Sequence, residues 1–163
     1  MNAATIDVTE VQGDENASNN RIDVAANLIS TATKWSAVSA LIPVPALDVV
    51  AVGAVQVKLV ADIATLYGSS FSNESVKALV AACLGTLLPA GAANAVVGSS
   101  AKYLPGYGTA VGIVSMSAFS SAATYAIGKI FVRHFEGGGT LASFSPEAVK
   151  EDLKAEFKKA SSK

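Results

Sequence analysis

The chain has 163 residues, enough for one domain with a sizeable core. Half of it (51%) is hydrophobic, but only 15% is charged, against about 25% in an average soluble domain. A net charge of −1 leaves no basic field for nucleic acid; one Cys excludes an internal disulfide, and one Cys with one His cannot supply the usual four-ligand zinc set.

Residues 1–20 carry Asp7, Glu10, Asp14 and Glu15 and no basic side chain, with Gly13 and several Asn between them. This predicts a disordered acidic tail, leaving residues 21–163 as a single helical domain. An acidic start is unlike a signal peptide or a mitochondrial presequence. A first helix is predicted from about Ile22 to Leu41. Leu28, Ala32, Trp35, Ser39 and Ile42 form its apolar-to-small stripe, with Trp35 expected in the core and an interfacial anchor as its second role. Pro43 ends the helix and Pro45 opens the next. That second helix runs to about Tyr67. Asp48 lies in its first turn, Lys58 and Asp62 form an i,i+4 pair, and Gly68 is its stop.

Ser72 or Asn73 caps a third helix. From residue 75 to 135 there is no Asp or Glu, and Lys77, Lys102, Lys129 and Arg133 are the only charges. They bound two uncharged runs, 78–101 and 103–128, joined by a turn at Tyr103-Leu104-Pro105-Gly106-Tyr107-Gly108. Each run is long enough to cross about 30 Å of hydrocarbon, and the flanking charges suit a positive-inside hairpin. Composition points the other way, because at least half of each run is Ala, Gly or Ser. Gly108–Gly112, Gly91–Ala95 and Ser117–Ser121 are spacings that suit close helix packing in water or lipid. A last amphipathic helix starts at Ser145-Pro146-Glu147, with Val149, Leu153, Phe157 and Ala160 as its stripe. Its acids lead and its lysines follow, as the helix dipole favours.

No motif assembles a reaction. Gly106-x-Gly108-x-x-x-Gly112 misses the dinucleotide spacing by one residue, and no P-loop pattern is present. Gly137-Gly138-Gly139-Thr140 reads as a helix C-cap or an anion nest. His134, next to Arg133 and Glu136, reads as a hydrogen-bonded histidine at a helix end or as a pH switch, and Cys83 reads as a buried apolar residue. No catalytic, cofactor or metal residue is assigned.

Four strings carry a family resemblance: Trp35 to Asp48 (WSAVSALIPVPALD), Tyr67-Gly68, Leu104-Pro105-Gly106-Tyr107-Gly108, and Phe131 to Thr140 (FVRHFEGGGT). Together they resemble the YcjF-like family, a bacterial domain-of-unknown-function family, over about residues 22–160. The resemblance implies a helical, membrane-associated protein without established catalysis, found fused to or encoded beside Era-like GTPases. These residues hold no GTPase motif, so the resemblance implies a GTPase partner on a separate chain. The resemblance assigns structural or interaction roles to Trp35, Pro43, Pro45, Asp48, Pro105, Gly106, Gly108, His134, Glu136, Gly138 and Gly139.

The sequence therefore predicts an all-α fold: an antiparallel bundle of about four long helices plus a C-terminal amphipathic helix. The expected function is a non-enzymatic scaffold at the bacterial inner membrane, in contact with lipid, with a GTPase chain and with further copies of itself. The alternative is a soluble, cytoplasmic, self-assembling Ala/Gly-rich module.

Overall fold

The computed structural model describes residues 8–39, 47–101 and 108–162, with side chains over 15–38, 53–87 and 116–162. It contains helices α1 (Val8–Ser39), α2 (Leu47–Leu66), α3 (Asn73–Ala101), α4 (Gly108–Glu136) and α5 (Lys150–Ser161), with a 3-10 turn at Leu141–Ser143. No strand occurs among the described residues. The all-α bundle with a C-terminal helix is thus confirmed. Pro43, Pro45, Pro105 and Gly106 lie outside the described residues.

Helix α4 is the axis of the fold and packs against the other four helices. Its described part is buried nearly all round: Met116, Phe119, Ser120, Ala122, Ala123, Thr124, Ala126, Ile127, Ile130 and Phe131 are all in the interior. A helix enclosed on every side has no face on which a charge can be solvated. That accounts for the absence of charge over residues 116–128. Helix α3 behaves differently. Val76, Val80, Cys83 and Leu87 recur at spacings of four, three and four on its buried face. Ala78, Ala81, Ala82 and Gly85 remain exposed.

Residues 88–115 of these two runs lie outside the described side chains, so the transmembrane reading is tested only over 78–87 and 116–128. Among the described residues no helix is long and apolar enough to cross a membrane. Small side chains make both runs long without making them strongly apolar. Nor is the flanking positive charge idle: Arg133 pairs with Asp152 at 3.3 Å and Glu156 at 2.9 Å, both on α5.

Small residues set the helix spacing. Ser120, Thr124 and Gly128 follow one another at four-residue intervals on α4. A Cβ on Gly128 would lie 2.6 Å from Ile29 Cγ1 of α1 and 3.2 Å from Leu59 Cδ2 of α2. Ser36 and Thr124 hydroxyls meet at 2.7 Å, and Ser117 donates to the Ala37 carbonyl at 3.3 Å. Thus α1 runs antiparallel to α4. Gln56 bonds Thr124 while Leu59 faces Gly128, so α2 runs parallel to α4.

Two further expectations are revised. Residues 8–20, expected as a disordered tail, are helical and continue α1. No proline interrupts them, and where their side chains are described they are mostly exposed, a polar helix extending past the core. Trp35, expected in the core, is 61% exposed. The inward positions of α1 are Ala25, Ile29 and Ser36, about one residue round from the stripe through Trp35. Close approach to α4 selects the small Ser36 and leaves the indole at the edge.

The caps follow local chemistry. Ser72 Oγ accepts from Ser75 N at 3.1 Å and starts α3, and Gly68, at φ +66°, ends α2. Ser145 Oγ accepts from Ala148 N at 3.3 Å, but this closes a turn, and α5 begins only at Lys150.

Candidate functional site

The string from Phe131 to Thr140 closes α4 and organises the charged end of the bundle. Gly137, Gly138 and Gly139 N–H groups donate to the carbonyls of Arg133, Phe135 and His134 at 3.1, 2.9 and 3.0 Å. Gly138 has φ +78°, the left-handed conformation of a helix C-cap. With all three N–H groups engaged, the loop presents no anion nest.

His134 sits against this cap. Its Nε2 is 2.8 Å from the Thr140 carbonyl and 3.4 Å from Ser143 Oγ. A carbonyl only accepts, so Nε2 carries the proton and donates. It therefore cannot take a proton from Ser143, and the pair is not a nucleophile with its base. Gly139 makes room for the ring: a Cβ there would fall 2.4 Å from Nε2. The ring also stands edge-on to Phe144, centroids 5.1 Å apart, while Phe144 stacks on Phe131 at 4.1 Å. Cys83 is fully buried elsewhere in the core, and burial pushes its thiol up to about 12.

Glu136 turns away from His134. It accepts from the Tyr67 hydroxyl at 2.5 Å, and the Tyr67 ring stacks on Phe135 and lies 5.7 Å from the Arg21 guanidinium. Burial, then the Glu136 hydrogen bond and charge, raise the Tyr67 hydroxyl above its ordinary range, against a lowering by Arg21. The contact ties α1, α2 and α4 together.

Arg133 docks α5. Glu156 is 8% exposed and takes Arg133 and, at 3.6 Å, Lys159. Burial raises the Glu156 carboxyl, but the Arg133 hydrogen bond and the two positive charges outweigh it and hold it below its usual range.

The opposite end has a different character. The antiparallel pairing of α1 with α4 and the parallel pairing of α2 with α4 direct the C-terminus of α1 and the N-termini of α2 and α4 toward that end. Residues 35–47 contain no charge, and residues 88–115 contain only Lys102. Trp35 and Val38, 61% and 50% exposed, stand in the last turns of α1. A groove of about 440 Å³ between α1 and α2 runs back from Trp35 past Leu28, Ala32, Val55 and Leu59 to the Lys58–Asp62 pair. Counting back nine residues from the Gln56–Thr124 contact puts Leu47 level with residue 115. Helix α4 starts seven residues earlier, so it reaches roughly 10 Å beyond α2. Asp48 and Gly108 lie in the first turns of α2 and α4, and their surroundings are outside the described side chains.

Sequence reasoning missed a buried polar layer. Ser36, Gln56, Ser120 and Thr124 are each 0% exposed, and Gln56 Nε2 donates to Thr124 Oγ1 at 3.2 Å. Gln56 Oε1 and Ser120 Oγ have no hydrogen-bond partner. Gln56 was the available signal, as the one long uncharged polar side chain within an Ala/Val helix.

Among the described residues no group of three potential metal ligands comes together. Fold and site define a small helical bundle with one charged, cross-braced end. A family model described as Domain of unknown function (DUF697) matches residues 7–160, nearly the whole chain, and the chain belongs to that family. It is also 35% identical over 136 residues to Magnetosome membrane protein 22 of Magnetospirillum gryphiswaldense, covering 83% of this chain and 70% of the relative. No solved structure matches. The resemblance read from the Trp35, Tyr67, Leu104 and Phe131 strings thus identified the right family.

Proposed function

We propose that this protein is a non-enzymatic scaffold that seats its uncharged end on a membrane and offers its charged end to a protein partner. The observation that carries the reading is the segregation of charge along the bundle. In the sequence, residues 35–47 carry no charge and 88–115 only Lys102, and the indole of Trp35, in the last turns of α1, stands exposed. Apolar surface rimmed by Trp is suited to the headgroup boundary, where an amphipathic ring keeps one edge wet. The printed name of the magnetosome relative, a membrane protein, supports the same reading. Seating in the interface needs no spanning helix.

The charged end, with the start of α5, the His134 cap and the polar extension of α1, is the face for a partner. A separate GTPase chain is the class that the family resemblance implies. Self-assembly through small-residue faces is the second reading. The Ser120–Thr124–Gly128 stripe does not favour it, because that stripe packs within the chain. The exposed Ala78–Gly85 face of α3 is where a second copy would fit.

Vesicle flotation tests the seating. The full chain floats with zwitterionic vesicles, and Trp35→Ala with Val38→Ser lowers the floated fraction. A chain that stays entirely below the vesicles overturns the proposal.

A further inference from the structure

Two clefts meet along the seam between α1 and α4. The larger, about 630 Å³, is closed on one side by Glu156 and Lys159 of α5. The smaller, about 310 Å³, is flanked by Lys34 of α1 and Lys129 of α4. Thr33 and Tyr125 line both, so the two are continuous.

The chemistry of this seam is one-sided. Lys34 and Lys129 are exposed, and neither has an acidic partner among the described residues. The one carboxylate lining the clefts, Glu156, is already held by Arg133 and Lys159. The seam also contains a donor left without a partner. Thr33 Oγ1 is buried and makes no hydrogen bond. A hydroxyl within a helix ordinarily bonds the carbonyl four residues back. Thr65, Thr86 and Ser121 do so here, at 2.9, 3.0 and 2.8 Å. Thr33 does not, and an unsatisfied buried hydroxyl needs an explanation.

The geometry points to a binding site for a phosphate-bearing anion in the α1–α4 seam. Lys34 and Lys129 supply the positive charge, and the hydroxyls of Thr33 and Tyr125 supply neutral donors between them. Charge-assisted hydrogen bonds of this kind favour phosphate oxygens. Thr33 and Lys34 immediately precede Trp35, but the seam opens on the α4 side of α1 whereas Trp35 lines the α1–α2 groove.

The test is isothermal titration of the full chain with inorganic phosphate, glycerol 3-phosphate and dihexanoyl-phosphatidylglycerol below its micelle concentration. Saturable binding of at least one probe is expected, weakening as salt is raised. Lys34→Gln with Lys129→Gln should weaken it about tenfold. Thr33→Val should weaken it less, with an unchanged circular dichroism spectrum in both variants. Equal binding of all three probes assigns the site to phosphate itself; binding of the lipid analogue alone assigns it to a lipid headgroup. Absence of saturable binding, or equal affinity of the native chain and the double lysine variant, overturns the proposal.

Discussion

Replacing Gly128 by Ala tests the packing on which the bundle depends. In an exposed helix interior, Gly to Ala stabilises by about 1 kcal/mol through backbone entropy. At Gly128 the new methyl would sit 2.6 Å from Ile29 Cγ1, with Ile29 Cδ1 and Leu59 Cδ2 both at 3.2 Å. That is roughly 1 Å inside ordinary carbon contact. Ile29 Cγ1 is next to the Ile29 Cβ, so it cannot swing aside without an off-rotamer χ1, costing about 1 kcal/mol. Alternatively α1 retreats from α4 and stretches the Ser36–Thr124 bond from its 2.7 Å. Overpacking of this kind costs about 1–3 kcal/mol, which exceeds the propensity gain. Gly128→Ala is therefore expected to lose about 1 kcal/mol in urea unfolding followed by circular dichroism. Gly85 is the internal control: it lies in α3, is exposed, and its Cβ would meet nothing within 4 Å. Gly85→Ala should gain up to about 1 kcal/mol. Ile29→Ala combined with Gly128→Ala should show a favourable coupling of at least about 0.5 kcal/mol. A Gly128→Ala variant as stable as Gly85→Ala would refute the close approach of α1 and α4.

Gln56→Met removes an unsatisfied buried carbonyl while Thr124 keeps its Ser36 bond. It should leave stability unchanged or raise it by about 1 kcal/mol in the same urea assay. The depressed Glu156 carboxyl contributes stability above its unfolded pKa, and that contribution is lost as pH falls through the lower folded value. The native chain should therefore lose more stability between pH 7 and pH 3 than Arg133→Met does, by acid titration of the unfolding midpoint. Gly139→Ala drives the His134 ring off the Thr140 carbonyl and should cost about 1 kcal/mol, with faster proteolysis within residues 137–145. Cys83, with its thiol pushed up to about 12, should resist maleimide at pH 8 in the folded chain and react on unfolding.

Much of this architecture is written in the periodicity of single helices. Val76, Val80, Cys83 and Leu87 mark the inner face of α3, and Gly68 and Ser72 mark the turn between α2 and α3. The acids and lysines of residues 147–159 identify the surface helix, although its first turn at Ser145 proves irregular. What is legible along one helix stops being legible between helices. Trp35 illustrates this, because apolar spacing alone cannot decide which side of a stripe faces a neighbour. The decision came from α4, whose small residues demand Ser36 and Ile29 opposite them. The polar layer was hidden for the same reason: Ser36, Gln56 and Thr124 are separated by 88 and 68 residues from the partners they meet. The uncharged runs were legible as an oddity but not as a cause. Enclosure of α4 by four helices produces the same charge deficit as a lipid-facing hairpin. The chemistry of the His134–Thr140 string is that of a cap, since the N–H groups of Gly137, Gly138 and Gly139 and the imidazole are bonded within the chain.

Trp35 is the only tryptophan, so its fluorescence reports on the uncharged end alone. The most direct test of membrane seating is quenching of that fluorescence by phosphatidylcholine vesicles brominated at different chain depths. The account predicts quenching that is strongest for bromines nearest the headgroups, with a label at Gly138 in the opposite-end cap unaffected. Trp35 emission that is unchanged by vesicles of any bromine depth would contradict it.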